Sequence, residues 1–162
     1  MTTLIPSAAP VPEAPADHPR VVRGLLNIAH ALDHLFLLIF AAAVSTIALD
    51  MGLAQWQDLM PYGAGAFFMF GLGSLPAGRL GDLWGRRSMM LVFFFGIGAA
   101  SILTAFAQTP WQLAGCLTLI GVFASIYHPV GIPMLLERTS NPGATIGFNG
   151  LSGNLGVAVA AL

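Results

Sequence analysis

The sequence predicts an all-α protein, a polytopic transmembrane helix bundle, and three observations lead there. Apolar residues make up 56% of the chain and charged residues 8%, with a mean hydropathy of +0.80. A soluble surface is wetted by about a quarter charged residues, so lipid must surround most of this chain. The apolar residues fall into five segments, of which the first four have about the 20 residues that cross a ~30 Å hydrocarbon core. Finally, all six basic residues are arginines that fall on one side of those segments. The net charge of -1 leaves no nucleic-acid footprint. Cys116 is the lone cysteine and can form no internal disulfide.

The elements follow in order. Residues 1–22 are rich in Ala and Pro, lack a periodic apolar face, and are expected to be a disordered cytoplasmic tail. The apolar run after Arg23 is too long for a signal peptide and carries no small-residue cleavage site. Expected helices cover 25–49, 59–77, 88–107, 111–136 and 144–162, joined by short loops that make neighbours antiparallel. Arg20 and Arg23 precede the first helix, Arg79, Arg86 and Arg87 lie between the second and third, and Arg138 follows the fourth. The opposite loops carry only Asp50 and Asp58. By the positive-inside rule the arginine side and the N-terminus are cytoplasmic. The last run ends without cap, flanking charge or aromatic anchor, so 23–162 is expected to be an incomplete N-terminal transmembrane half.

Ionisable residues inside a membrane are costly and mark function. His30, Asp33 and His34 share one face of the first helix at i, i+3 and i+4. Asp33 must therefore face protein, water or a partner. In the fourth helix Pro129 follows Tyr127 and His128, and its missing N–H predicts a kink and a free acceptor one turn earlier. His34 and His128 both lie roughly 5 Å to the cytoplasmic side of their helix midpoints. Two helices of opposite direction thus place ionisable groups in one layer, where they can bind a coupling proton or a polar part of a substrate. Gly147, Gly150, Gly153 and Gly156 recur every third residue of the fifth helix and read as a packing seam.

The loop Gly78-Arg79-Leu80-Gly81-Asp82-Leu83-Trp84-Gly85-Arg86-Arg87 resembles the signature loop of the major facilitator superfamily, at the place where that family carries it. Glycines there permit a tight turn, and Asp82 can receive helix N-terminal amides. The resemblance implies a cytoplasmic latch, with Asp82 touching the second half of the carrier and Arg86 reaching an acid at the end of helix 4, where this chain has Glu137. Leu83 stands where the family usually has a basic residue. It also implies that helices 1 and 4 line the central cavity, so that Asp33, His34, His128 and His30 face it. Shorter matches, namely His30 to Asp33, Ser125-Ile126-Tyr127-His128-Pro129 and Gly153-Asn154-Leu155-Gly156, are similar to the fosmidomycin-resistance-type efflux carriers. Val130 and Gly131 replace the polar residue that often follows the His-Pro pair in that group.

The expected function is secondary active transport of a small organic molecule, proton-coupled and directed outward across the inner membrane. Uptake of a metabolite, or a non-transporting scaffold of carrier descent, are the alternatives. A metal-dependent intramembrane enzyme using His30, Asp33 and His34 would lack a catalytic partner and leave the signature loop unexplained. No metal, cofactor or nucleophile is therefore assigned. The expected partners are the lipid bilayer, the substrate, a proton and the missing C-terminal half, which supplies the other wall of the cavity. No phosphate-binding loop is present, so ATP-driven transport is not expected.

Overall fold

A computed structural model describes residues 16–162. The tail expected over 1–22 falls largely outside these residues, and its described end is ordered. Helix α1, Arg20–Asp50, begins where Pro19 leaves an extended conformation. Its 31 residues are about 46 Å long, more than the ~30 Å of a hydrocarbon core. Ahead of it, the Asp17 carboxylate accepts from the Ser140 amide at 2.6 Å and pairs with Arg23 at 3.2 Å. The His18 amide donates to the Arg138 carbonyl at 3.1 Å. These contacts clasp the start of α1 to the loop before the last helix. The Ser140 amide holds the exposed Asp17 carboxyl below its ordinary range.

The second helix departs from expectation at both ends. Residues 59–63 are not regular α-helix: short 3₁₀ turns at Trp56–Asp58 and Met60–Gly63 wrap round Pro61, with Leu59 fully buried. Helix α2 then runs Ala64–Trp84, through the segment expected as a loop. That loop shrinks to Gly85, whose φ of 88° only glycine adopts readily. Gly78 and Asp82 are therefore helical, and Asp82 caps no helix N-terminus. Helix α3, Arg86–Thr104, starts immediately and stops short of 107 in a series of tight turns.

Thr109 caps α4, Pro110–Ala124, by accepting from the Gln112 amide at 3.3 Å. Pro129 lacks an N–H and would break the α-ladder. The helix absorbs it in a five-residue π turn, Tyr127–Gly131, and resumes as α5, Ile132–Leu136. Asn141 caps α6, Pro142–Ala160, by accepting from the Ala144 amide at 3.1 Å.

The helices pair α1 with α6 and α2 with α4, while α3 packs on α4. Small residues allow the close approaches. A side chain at Gly121 would strike the Ala66 backbone, and one at Gly81 would meet Val130 at 2.9 Å. Phe93, Ile97, Tyr127, Val130 and Leu135 fill the core. Phe67, Leu75, Phe95 and Phe106 stand exposed on the outside, as side chains bathed in lipid do. Among the described residues α1, α3 and the span Pro110–Leu136 are long and apolar enough to cross a membrane. Helices α2 and α6 have comparable lengths of 21 and 19 residues, but glycine, serine and proline dilute their apolarity.

Candidate functional site

Helix α1 presents Asn27, His30, Asp33 and His34 toward the π turn of the fourth span and toward α6. The π turn matters because its wider coil carries Tyr127 and His128 into one site. The His30 ring stacks on Tyr127 at 4.8 Å between centroids and lies edge-on to His128 at 5.2 Å. Its Nδ1 lies 2.8 Å from the Asn149 carbonyl oxygen. A carbonyl only accepts, so this contact fixes the proton on Nδ1 and leaves Nε2 with a lone pair. His34 Nε2 stands 3.2 Å from that Nε2 and is the donor between them.

Asn149 also satisfies its neighbours, donating from Nδ2 to the Tyr127 hydroxyl at 2.7 Å and to Asn27 Oδ1 at 2.9 Å. Gly153 makes room for the assembly, since a Cβ there would sit 2.7 Å from the His30 ring. Asp33 differs from all of these. It is 0% exposed, and neither carboxylate oxygen has a hydrogen-bond partner. The imidazole of His128 faces it, with Nε2 at 3.3 Å from Oδ2. Beside the pair opens a recess of about 260 Å³ lined by His34, Phe70, Gly71, Ser74, Ser125 and His128. A larger cavity of about 530 Å³ lies toward the other end of α1, where mostly apolar residues of α1, α3 and α4 line it. It contains none of the cluster.

The four ionisable residues expected to act together are thus in one place. Asn27, Tyr127 and Asn149, to which no role was assigned from sequence, complete the network. The signal was available, since each is polar within an apolar run. At the arginine-bearing end of the bundle Arg86 pairs with Glu137 and lies 3.9 Å from Asp82, while Arg87 is exposed. The glycine repeat of α6 divides. Gly153 and Gly156 meet α1, but Gly147 and Gly150 have open space around them. A three-residue step on a helix of 3.6 residues per turn drifts by about 60°, so four such glycines cannot share one seam.

This arrangement defines a multi-pass helical membrane protein with an ionisable cluster buried in its bundle. The model of the Major Facilitator Superfamily matches residues 26–162, and the chain belongs to that family. It is 33% identical over 109 residues to the inner membrane metabolite transport protein YgcS of Escherichia coli K12, covering 67% of this chain and 24% of that protein. It is 31% identical over 144 residues to the puromycin resistance protein pur8 of Streptomyces alboniger, covering 85% of this chain and 28% of that protein. The chain spans about a quarter of the length of the curated relatives it matches.

Proposed function

We propose that this chain forms part of the N-terminal half of a secondary transporter that exports a small organic molecule in exchange for protons. The observation that carries the reading is Asp33, a carboxylate buried within the bundle without a hydrogen-bond donor, facing His128 across 3.3 Å. Such a group is destabilising unless it acts. Protonation of Asp33 discharges its attraction to His128, and the imidazole is freed to turn toward the recess. Loss of the proton restores the pair. An exchange of this kind couples the charge on α1 to the position of the π turn, and hence to the wall of the cavity that a second half would close.

Outward direction is supported by the antibiotic-resistance name of one relative and by the short motifs similar to fosmidomycin-resistance-type carriers. A cytoplasmic N-terminus is supported by the arginine distribution, and an inner-membrane location by similarity to the inner membrane protein YgcS. On this reading Gly78, Asp82, Gly85, Arg86, Arg87 and Glu137 form the cytoplasmic latch, with the remaining partner of Asp82 in the absent half. The test is flux in everted vesicles that contain the native full-length protein, using a panel of labelled antibiotics that includes puromycin. An imposed proton gradient should drive accumulation, and Asp33→Asn should abolish that drive while gradient-independent exchange persists. Unchanged coupling in Asp33→Asn would remove Asp33 from the mechanism.

A further inference from the structure

The same cluster holds a second chemistry that proton exchange does not use. His30, His34 and His128 each offer a ring nitrogen, and the three donor atoms lie within 4.8 Å of one another. Sequence spacing alone pairs His30 with His34, one turn apart. The π turn brings the third imidazole across from the facing helix. We propose that these three histidines form a binding site for a divalent first-row transition metal of borderline softness, with Zn²⁺ the leading candidate.

Four features carry the assignment. A tetrahedral ion with Zn–N bonds of about 2.0–2.1 Å separates its ligand nitrogens by roughly 3.4 Å. His30 Nε2 and His34 Nε2 are already 3.2 Å apart. Second, His30 donates its other nitrogen to the backbone carbonyl of Asn149 at 2.8 Å. That is the outer contact by which metal-binding imidazoles are oriented and their free nitrogen made more basic. Third, the Asp33 carboxylate lies 3.3 Å from Nε2 of His128, one of the three imidazoles. A carboxylate behind a histidine is the other common outer partner of a metal ligand. Asp33 is fully buried and otherwise unpartnered, and a cation beside it would offset the charge of its carboxylate form. Fourth, the recess opens at His34 and His128, which leaves a fourth coordination position for water or a ligand oxygen, as in open three-histidine sites. Occupancy would tie α1 to the π turn and fix the spacing that coupling has to change.

Metal binding is a separate claim from proton coupling, and the two fail separately. Flux is measured in chelator-treated buffer, whereas binding is measured without a gradient. The native full-length protein, stripped with chelator in detergent, is titrated with Zn²⁺ by calorimetry and with Co²⁺ by visible absorption. One equivalent should bind, and Co²⁺ should show the intense bands of tetrahedral coordination. Those bands should vanish in His34→Gln and His30→Gln, survive in His18→Gln, and weaken in affinity by about 10–100-fold in Asp33→Asn. Bands that survive both cluster substitutions, or wild-type protein that binds no stoichiometric metal, would overturn the site. If the cluster variants do not fold, X-ray absorption at the zinc edge of wild-type protein decides the matter. A shell with two or three imidazoles supports the site, and a shell of sulfur or oxygen alone refutes it.

Discussion

The two halves of the α6 glycine repeat should respond to alanine with opposite signs. A Cβ at Gly156 would stand 2.8 Å from the Ala31 carbonyl carbon and 2.9 Å from its Cα, with the carbonyl oxygen nearer still. Carbon atoms rest at about 3.5–4.0 Å, so α6 must retreat from α1 by about 1 Å, and a gap of that size forfeits a quarter to a half of each affected contact. Backbone on the facing side cannot rotate out of the way as a side chain would. Overpacking typically costs about 1–3 kcal/mol, and packing is the principal attraction between helices in lipid, so Gly156→Ala should lose about 2–3 kcal/mol. Gly147 has nothing within 4 Å, and alanine there gains about 0.5–1 kcal/mol by restricting the backbone. Reversible unfolding of the native full-length protein in mixed micelles reads both. A Gly156→Ala variant as stable as Gly147→Ala would refute the assignment of the α1–α6 seam.

Three further outcomes follow from the geometry. Asn149→Ala removes two interhelical hydrogen bonds and strands the buried Tyr127 hydroxyl, so unfolding in the same micelles should show a loss of about 1–3 kcal/mol; a loss under about 0.5 kcal/mol would mean the network is ornamental. The pair Arg86–Glu137 is partly exposed, so a double-mutant cycle with Arg86→Gln and Glu137→Gln should give a coupling of about 0.2–1 kcal/mol that fades with added salt, and a salt-insensitive coupling would contradict that exposure. The lowered Asp17 carboxyl contributes to the N-terminal clasp above the ordinary carboxylate range, and that contribution is lost as pH falls through its depressed value. Limited proteolysis near Arg20 should accordingly speed up on acidification with an acid-active protease and, at neutral pH, in Asp17→Asn; equal rates in wild type and variant would dismiss the clasp.

Much of this was legible because a bilayer is a demanding solvent. It forces long apolar runs, segregates arginines, and makes each intramembrane charge conspicuous, so Asp33 and His34 stood out without any tertiary information. What sequence hid were the local effects of backbone chemistry. Gly78 and Gly81 read as turn formers, yet they lie inside α2, where Gly81 accommodates Val130 and Gly78 approaches Pro129 at 3.3 Å. The turn itself falls to Gly85, the one glycine of that segment with positive φ. Residues 59–63 are apolar enough to pass for membrane helix, but Pro61 and the buried Leu59 hold them in 3₁₀ turns. Pro129 announced a kink; that the kink would be a π turn aiming Tyr127 and His128 at α1 depends on which helix lies opposite, and no local pattern encodes that.

The pattern of satisfied and unsatisfied groups ties stability to the proposed chemistry. His30, Asn149, Tyr127 and Asn27 hold one another in a closed set of hydrogen bonds among three segments. Among the described residues, the buried side-chain atoms left without a hydrogen bond are the two Asp33 oxygens and His128 Nε2. A bundle able to satisfy four polar residues one turn away could have supplied a hydroxyl or amide to the fifth. Leaving a buried carboxyl without a donor costs roughly 2–7 kcal/mol before any ion pairing, a large share of the 5–15 kcal/mol or so by which proteins are stable. Fixed donors would commit a carboxylate to its charged form, whereas Asp33 has only an imidazole facing it, at 3.3 Å. The rigid network and the unsatisfied pair are therefore complementary: the first holds the helices in register, so that under the proposed function a change of charge or ligand at the second would move the π turn instead of dispersing into the packing.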